Sequence, residues 1–303
     1  MQRLKDVGMN CGCEYTGFHR FLGIGSYSRF DHSVGAALIV WNFTRDIRQS
    51  IAALLHDIAT PAFAHVIDFL HGDHLKQEST EEDTFRIISG SPAIVGILEE
   101  YGLVPEDVAD YHIFPIADND TPRLSSDRLE YSCGNMLNYG FAEMDTVAAI
   151  YGDLCTGANE EGLPEIMFRS RERASEFARL SLMCSKIYVS DEDRYAMQRL
   201  AELLAGAIRK GILTESMLYS TESEVIGRLL ADSEYSLKWR DFRSYSRIMT
   251  CSGRPDAIVV NAKKRHINPF VRGFGRVRDF DAGYASLLEE FLEKDFDYAI
   301  IAE

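Results

Sequence analysis

The chain has 303 residues, of which 46% are hydrophobic and 26% are charged, and its formal net charge is −15 at pH 7. These proportions are typical of an ordinary soluble globular protein, and the negative charge opposes binding to duplex nucleic acid, whose phosphates require lysine and arginine. No apolar stretch reaches the ~20 residues that span a bilayer, and the first residues lack the apolar segment of a signal peptide. We therefore expect a cytoplasmic protein with no membrane partner and with reduced cysteines.

Helical patterning dominates after an opening segment rich in glycine and aromatic residues. Residues 1–31 predict a loop, and the apolar runs 33–43 (SVGAALIVWNF) and 51–55 (IAALL) predict buried helices. The segment 80–83 (TEED) has the form of a capping box, and 93–100 predicts a short helix that starts after Ser-Pro and stops at glycine. Residues 171–188 and 191–210 carry apolar residues at three- and four-residue spacing, which predicts a pair of packed helices.

Turns and strands are predicted at fewer places. Segments 114–125 and 156–164 hold turn-forming residues and predict surface loops. The short β-branched runs 257–260 (AIVV) and 298–301 (YAII) predict strands near the end of the chain. The pattern as a whole predicts a mainly α fold with a small strand-containing C-terminal subregion.

Four side chains of metal-ligand type lie where an apolar helical pattern meets a polar position. They are His32, the adjacent His56 and Asp57, and Asp127. A buried His-Asp pair is costly unless its charge and its lone pair are compensated, and a divalent cation compensates both. The alternative is that protein hydrogen bonds satisfy each group, as they usually do for a lone histidine near a core. Taken together, two imidazoles and two carboxylates predict one divalent-cation site.

Three stretches that contain these ligands resemble the successive motifs of a known superfamily. They are residues 29–33 (RFDHS), 56–68 (HDIATPAFAHVID) and 126–131 (SDRLEY). In order and rough spacing they resemble the HD-domain phosphohydrolases, and most of all the branch of deoxynucleoside triphosphate triphosphohydrolases. Segments 176–204 and 259–265 resemble that branch more weakly.

The resemblance implies a fold and a division of the chain. The fold is an HD-domain helical bundle, with the metal-site core in residues 1–150. A helical extension packed on the core would occupy residues 151–250, and the small α+β C-terminal subregion would occupy 251–303. By the same resemblance the protein forms a homo-oligomer, and the shortness of the segment before the first motif makes nucleotide-driven allosteric control unexpected.

A histidine and an acid in the second motif are the expected catalytic pair. His65 and Asp68 lie three residues apart, so on a helix they share a face and can contact each other. The resemblance implies that His65 acts as general acid or base, or orients the attacking water, while Asp68 holds its tautomer and raises its basicity. The alternative is a core histidine next to a solvated helix residue.

Six residues are candidates for substrate binding. Guanidinium groups near the ligands can bind phosphate bidentately, and an aromatic ring can stack on or hydrogen-bond a nucleoside. Surface roles for the first two and core packing for the third are the alternatives, and the last three rest on the weaker resemblance alone. The candidates are Arg29, Arg128, Tyr131, Lys186, Tyr188 and Arg194.

The chain departs from the family pattern at two positions. Thr60 and Gln77 stand where some members have histidines that assist catalysis, although others have a small polar residue at the place of Thr60. His71 or His74 could supply an imidazole instead, or could simply be solvated. These departures are the support for the alternative of a nucleotide-binding regulator that no longer turns over.

The sequence therefore predicts a metal-dependent phosphohydrolase that acts on a nucleotide. Mixed imidazole and carboxylate ligation suits Mn, Fe, Co, Ni or Zn better than Ca, and Mg remains possible because the substrate brings oxygens. The resemblance implies hydrolysis of a deoxynucleoside triphosphate to deoxynucleoside and triphosphate. A monophosphate nucleotidase or phosphodiesterase on the same metal centre is the enzymatic alternative.

Overall fold

The structure is a computed structural model that describes residues 1–72, 83–251 and 253–303. Most of the regular structure in these residues is helical, so the prediction of a mainly α fold is confirmed. The helices are α1 (Arg29–Thr44), α2 (Ile47–Leu55), α3 (Val66–His71), α4 (Thr84–Ser89), α5 (Pro92–Glu100), α6 (Ser126–Asn138), α7 (Met144–Gly152), α8 (Arg171–Ile187), α9 (Asp191–Arg209), α10 (Glu222–Ala231), α11 (Ser233–Ser244), α12 (Val277–Phe280) and α13 (Ala282–Glu293).

Two small sheets accompany the helices. The strands are β1 (Leu154–Ala158), β2 (Pro164–Phe168), β3 (Ile248–Thr250), β4 (Phe270–Val271), β5 (Gly275–Arg276) and β6 (Ile300–Ala302). One sheet has the order β1-β2-β4-β5, in which β2 and β4 are parallel and the other pairs antiparallel. The other sheet is the antiparallel pair β3-β6. The division into the segments 1–150, 151–250 and 251–303 stays a prediction.

Three helices that carry the candidate ligands begin at side-chain caps. Ser28 and Asp31 form a reciprocal capping box at the start of α1, with N···O distances of 3.1 and 3.2 Å. The Asp46 carboxylate accepts two backbone N–H groups at the start of α2, and the Ser125 hydroxyl accepts one at the start of α6. Such caps satisfy backbone donors that the first helical turn leaves unpaired, so they fix where each helix starts.

Packing of α1 brings the predicted ligands onto adjoining elements. This helix packs on both α2 and α6. His32 lies in the first turns of α1, whereas His56 and Asp57 directly follow the end of α2. Asp127 lies in the first turn of α6. The three helix ends therefore meet at one place, which the sequence spacing alone did not require.

The predicted helices have the expected bounds, but one packing prediction is wrong. Segments 93–100, 171–188 and 191–210 form α5, α8 and α9. Instead of pairing with each other, α8 packs on α6 and α13, whereas α9 packs on α3 and α11. The connection between α8 and α9 turns the second helix toward a different hydrophobic cluster, so each apolar face is buried against other elements.

Two predictions about loops and strands need correction. Segment 156–164 is part of a β-hairpin rather than a loop, because Gly162 and Pro164 mark a tight turn between β1 and β2. Segment 257–260 contributes only one isolated bridge, between Ile258 and Ile300, while 298–301 overlaps β6. The opening segment 1–31 contains short 3-10 turns at Gln2–Asp6, Cys13–Tyr15 and His19–Phe21.

Two further segments position or flank the site. Segment 114–125 has no helix or strand, as predicted, but several of its side chains are buried, including Ile116 and Leu124. The capping box predicted at 80–83 lies, except for its last residue, outside the described residues, and α4 begins at Thr84. No described helix combines the length and the apolar character that a bilayer span requires.

A buried ion pair fastens the four-stranded sheet to the residues just before α6. The fully buried Glu165 binds Arg276 bidentately, at 2.6 and 2.7 Å, and also accepts the backbone N–H of Leu124 at 3.1 Å. Replacing Glu165 by alanine removes one of the two carboxylates that Arg276 contacts, because Glu160 remains at 2.8 and 2.9 Å. We expect a loss of about 1–3 kcal/mol in the free energy of unfolding, measured by urea titration.

The exposed pair Arg254–Asp256 provides the control for this experiment. Both side chains are 51% exposed, so Asp256→Ala should leave the urea midpoint unchanged. A loss below ~1 kcal/mol for Glu165→Ala would contradict the structural role given to the buried pair.

Candidate metal centre

His32 and His56 both present their Nε2 atoms to the same point. The Nδ1 atom of His56 faces the backbone oxygen of Ala53 at 2.7 Å, within the last turn of α2. The Nδ1 atom of His32 faces the carboxylate of Glu130. The two Nε2 atoms lie 3.2 Å apart. Each ring is therefore held by its other nitrogen, which is how metal-binding histidines are usually oriented.

The two aspartates complete the cluster. Asp127 Oδ1 lies 2.9 Å from His32 Nε2 and 3.7 Å from His56 Nε2. Asp57 Oδ2 lies 3.5 Å from His56 Nε2 and 3.9 Å from His32 Nε2. One donor atom each from His32, His56 and Asp57 falls within a sphere that a single cation can bridge, since all lie within 4.8 Å of one another. The structure thus brings together the four residues that the sequence analysis selected.

The electrostatics of the cluster favour a bound cation. Burial opposes protonation of His32, but the carboxylates of Glu130 and Asp127 outweigh burial and raise its pKa to about 10. Burial acts to raise the pKa of Asp57, yet Arg29 and the two imidazoles hold it well below its usual value. His32 similarly keeps the pKa of Asp127 low despite burial. Both carboxylates are therefore ionised and available as ligands at neutral pH.

This donor set fits a divalent metal. Two imidazole nitrogens and two carboxylate oxygens suit the transition metals predicted from the sequence, and they also accept Mg when a substrate supplies oxygens. Arg29 contacts both oxygens of Asp57, at 3.1 and 3.3 Å. Thr60 donates to Asp57 Oδ1 at 2.7 Å. Where some members of the resembling family have a histidine, this chain thus has a threonine that orients the candidate ligand Asp57.

A hydrogen-bonded chain outside the ligands holds His32. Tyr27 donates to Glu130 Oε2 at 2.5 Å, and the same oxygen faces His32 Nδ1. Two glycines leave room for this arrangement. A Cβ atom at Gly134 would lie 2.5 Å from the Tyr27 hydroxyl, and one at Gly35 would lie 2.5 Å from Glu130 Oε1. Glu130 belongs to the third motif, but the sequence analysis gave it no role. Its position three residues after Asp127, on the same face of α6, is the signal that could have identified it.

Glu130 is expected to strengthen metal binding without touching the metal. In Glu130→Gln, the amide orients His32 less well and lowers the basicity of the ring. We expect metal affinity to fall about 10- to 100-fold, measured by titration of the metal-free protein with Mn²⁺ or Co²⁺. Exposed Glu143→Gln on the loop before α7 is the control. Unchanged affinity in Glu130→Gln would show that the chain to Tyr27 only fills space.

His65 and Asp68 contact each other at the start of α3. His65 Nδ1 lies 2.9 Å from Asp68 Oδ2, and Asp68 is fully buried behind the ring. Burial lowers the pKa of His65, as do Arg265 and Arg29, although the hydrogen bond with Asp68 opposes that change. His65 is therefore neutral at pH 7, with Nδ1 engaged by Asp68 and Nε2 able to accept a proton.

The loop before His65 is held in an uncommon backbone conformation. Phe63 and Ala64 have φ values of 62° and 47°, which cost energy in residues other than glycine. The backbone N–H of Ala62 donates to Leu218 at 2.7 Å, and that of Phe63 donates to Glu222 Oε1 at 3.3 Å. Residues far along the chain thus fix the approach of His65 to the site.

One cavity of about 580 Å³ contains the centre. All four candidate ligands line it, together with His65. Its volume lies within the range of typical small-molecule sites. Other lining residues that the sequence analysis did not select include Asn10, His112, Asp118, Asn119, Asn135 and Asp193. They lie outside the three motifs, so no local pattern marked them, whereas Lys263 and Arg265 belong to the weakly resembling stretch 259–265.

Four of the six predicted substrate-binding residues line this cavity. Arg29 is engaged with Asp57, as described above. Arg128 contacts Asp118 at 3.0 Å, Asn119 at 2.7 Å and a backbone oxygen at 2.8 Å. The rings of Tyr131 and Tyr188 meet edge to face, with centroids 6.3 Å apart. Carboxylates thus neutralise both arginines, which the sequence analysis expected to face phosphate.

The structure does not place Lys186 and Arg194 in this cavity. The side chain of Lys186 is exposed on α8. Arg194 is fully buried, where it donates to the backbone oxygen of Val260, pairs with Asp191 and lies beneath the rings of Phe296 and Tyr298. It links α9 to the end of the chain, because only the tertiary fold brings those aromatic rings over its guanidinium group. Gln77, one of the two departures from the family pattern, lies outside the described residues, as does His74, which could have supplied an imidazole.

The structure is a mainly α fold whose cavity is lined by a His-His-Asp group that could hold a metal, by Asp127 next to its two histidines, and by His65. No family model matches the chain. It is 25% identical over 237 residues to the uncharacterized protein YdhJ of Bacillus subtilis, a match that covers 76% of this chain and 68% of the relative. It is 24% identical over 228 residues to the metal-dependent phosphohydrolase cns2 of Cordyceps militaris, covering 72% and 62% respectively.

These findings support the coarser predictions from the sequence. The second relative and the converging ligands support the HD superfamily, whereas neither supports the triphosphohydrolase branch in particular. The same two observations support a divalent metal cofactor, as predicted. The chain spans about two thirds of the length of each relative.

Proposed function

We propose that the protein is a metal-dependent phosphohydrolase that breaks the ester bond between the sugar oxygen and the adjacent phosphorus of a nucleotide. The observation that carries this proposal is that the candidate metal ligands and the candidate general base line one cavity. The candidate ligands are His32, His56, Asp57 and Asp127, whose donor atoms converge. The candidate base is the neutral His65, which Asp68 holds by a hydrogen bond.

The roles of the residues follow from this arrangement. His32, His56, Asp57 and Asp127 would hold a divalent cation, which would supply charge neutralisation at the phosphoryl oxygens. His65 Nε2 takes a proton from the attacking water, while Asp68 keeps the Nδ1 proton in place and stabilises the charged ring. The water oxygen bonds to phosphorus, the bond from phosphorus to the sugar oxygen breaks, and His65 Nε2 passes the proton that it took from the water to the leaving oxygen. Arg29 keeps Asp57 ionised throughout.

Two substrate classes share this bond and differ in the phosphates beyond it. The resemblance points to a deoxynucleoside triphosphate, which would give deoxynucleoside and triphosphate. The other class is a nucleoside monophosphate, which would give nucleoside and phosphate. The basic residues do not separate the two classes: Arg29 and Arg128 are paired with Asp57 and Asp118, and Lys186 and Arg194 lie outside the cavity, but Lys263 and Arg265 line it.

Product analysis tests the proposal and separates the two classes. The protein, loaded with Mn²⁺ or Co²⁺, is incubated with deoxynucleoside triphosphates and with nucleoside monophosphates, and the products are resolved by ion-exchange chromatography. Release of triphosphate identifies the first class, and release of phosphate from monophosphates identifies the second. Release of phosphate or pyrophosphate from triphosphates would contradict ester cleavage. A metal-loaded protein that cleaves none of these would overturn the proposal in favour of a binding protein.

A further inference from the structure

Glu222 is a buried carboxylate, far along the chain from the three motifs, that binds two segments of the candidate site. It lies in the first turn of α10, where Thr221 caps the helix, and only 2% of the residue is exposed. Its Oε1 atom accepts the backbone N–H of Gly8 at 2.8 Å and that of Phe63 at 3.3 Å. Its Oε2 atom accepts the Tyr15 hydroxyl at 2.7 Å. One side chain thus binds three donors.

The contact with Gly8 leads to the helix that carries His32. Gly8 forms an antiparallel bridge with Ser28, the N-cap residue of α1. Next to this bridge, the Val7 oxygen accepts the backbone N–H of Arg29 at 2.8 Å. The backbone N–H of His32 in turn donates to the Ser28 oxygen at 3.0 Å. Backbone hydrogen bonds therefore connect Glu222 to the start of the helix that presents a candidate metal ligand.

The contact with Phe63 leads to the candidate base. His65 follows Phe63 by two residues, and both Phe63 and Ala64 have positive φ values. Such strained residues persist only where the surrounding structure fixes them. The backbone N–H of Val66 donates to the Phe63 oxygen at 3.1 Å, so Phe63 also begins the turn that contains His65. An acceptor for the Phe63 N–H therefore influences where the His65 ring lies.

We propose that Glu222 is a positioning residue for the hydrolytic reaction, and that its Oε1 atom fixes the His65 ring relative to the metal ligand His32. Two backbone N–H groups that bind the same oxygen atom cannot move apart without breaking a hydrogen bond. The inference rests on the proposed function, since it assumes that His65 acts on a substrate held at the metal centre. It adds a residue from outside the three motifs to the groups that the reaction needs.

The reaction requires this kind of precise placement. A general base acts only within hydrogen-bond reach of the proton that it takes, at about 2.6–3.2 Å. A displacement of about 1 Å in the reacting geometry costs about 10²-fold in rate. Glu222 itself lies outside the described lining of the cavity. Its effect on the rate therefore passes through the backbone that it binds.

Two variants of Glu222 test the role of its Oε1 atom. In Glu222→Ala both backbone N–H groups lose their acceptor, and we expect kcat to fall about 10²-fold. The KM and the metal content of the Mn²⁺-loaded protein should stay at their wild-type values. Glu222→Gln keeps an oxygen acceptor, and its amide can donate to the Tyr15 hydroxyl, so kcat should stay within about threefold of the wild-type value. Steady-state kinetics and elemental analysis measure these quantities.

Asp281→Ala is the matched control for a loss of stability alone. Asp281 also accepts one backbone N–H, from Tyr284 at 2.9 Å, and one side-chain donor, from Arg179 at 2.6 Å, but it caps α13 outside the cavity. This variant should unfold at a lower urea concentration and keep the wild-type kcat. If circular dichroism shows that Glu222→Ala is unfolded, Glu222→Asp replaces it. The shorter carboxylate cannot reach both N–H groups, so kcat should fall about 10-fold or more.

The position of the proton on the His65 ring gives a readout that needs no turnover. In the metal-free wild-type protein the proton lies on Nδ1, because Asp68 accepts it there. Nitrogen chemical shifts of the ring, assigned by comparison with His65→Gln, report this tautomer. In Glu222→Ala the ring is held less firmly, so part of the population should carry the proton on Nε2. Glu222→Gln should show the wild-type tautomer.

Each outcome bears on the proposal. A wild-type kcat in Glu222→Ala, equal losses in the alanine and glutamine variants, or a loss of metal in parallel with kcat would overturn it. A His65 tautomer that depends on Glu222, in a protein that hydrolyses no nucleotide, would retain Glu222 as the anchor of His65 and reject the hydrolase. Hydrolysis that does not depend on Glu222 would do the reverse.

Discussion

Replacement of Asp127 by asparagine is expected to abolish metal binding and hydrolysis together. Asp127 Oδ1 is the carboxylate oxygen nearest to the His32 Nε2 atom, at 2.9 Å, and an amide oxygen is a much weaker ligand. Loss of the charge stabilisation that a cation supplies should lower kcat by about 10³-fold or more, equivalent to about 4 kcal/mol. Elemental analysis measures the metal, and product release measures turnover.

Two comparisons make this result decisive. Exposed Asp145→Asn should retain both metal and activity. Asp57→Ala should lose both as well, but it also leaves the buried Arg29 without its partner, which should cost about 3–5 kcal/mol of stability. For that reason Asp127→Asn, with folding checked by circular dichroism, is the cleaner variant. Full metal content with normal turnover in Asp127→Asn would remove the metal centre from the proposed mechanism.

Replacement of His65 by glutamine should lower kcat while the metal stays bound. His65 is not in the ligand cluster, so elemental analysis should give the wild-type stoichiometry. Loss of a positioned general base costs about 10²–10⁴-fold in rate. Asp68→Asn should cause a smaller loss of kcat, because the ring remains but its proton and orientation are held less firmly. Exposed His19→Gln is the matched control and should behave as wild type.

The pH dependence gives this prediction a second readout. Burial lowers the pKa of His65 below its usual value near 6.5, and a base must be neutral to accept a proton. Activity should therefore persist as the pH falls through about 6.5 and decline only at lower pH. The hydrogen bond that His65 Nδ1 donates to Asp68 raises the pKa of His65, so Asp68→Asn should shift the decline further toward acid. A decline centred above about pH 6.5 would contradict His65 as the base.

The helical framework could be predicted from the sequence because its signals are local. Apolar spacing along α8 and α9, and the Ser-Pro start of α5, depend only on residues within one or two turns. The same holds for the contact between His65 and Asp68, three residues apart at the start of a helix. Packing is not local, so the sequence did not show that α8 and α9 are buried against different helices.

The residues of the candidate site could likewise be predicted only where their signal is local. Chemical type and position at helix ends were enough to select His32, His56, Asp57 and Asp127, because few residues can bind a metal. The partners of the arginines could not be selected in this way. Arg29 and Arg128 face carboxylates, whereas Arg194 lies beneath aromatic rings from the end of the chain.

The sequence by itself determined which side chains can bind a cation, and where the helices that carry them begin. Only the tertiary structure decided which charges are neutralised within the protein and which buried groups face the cavity. The physical reason is distance along the chain. A helix and its caps form from neighbouring residues, but the surroundings of Glu130 or Glu222 depend on elements that meet only when the chain is packed.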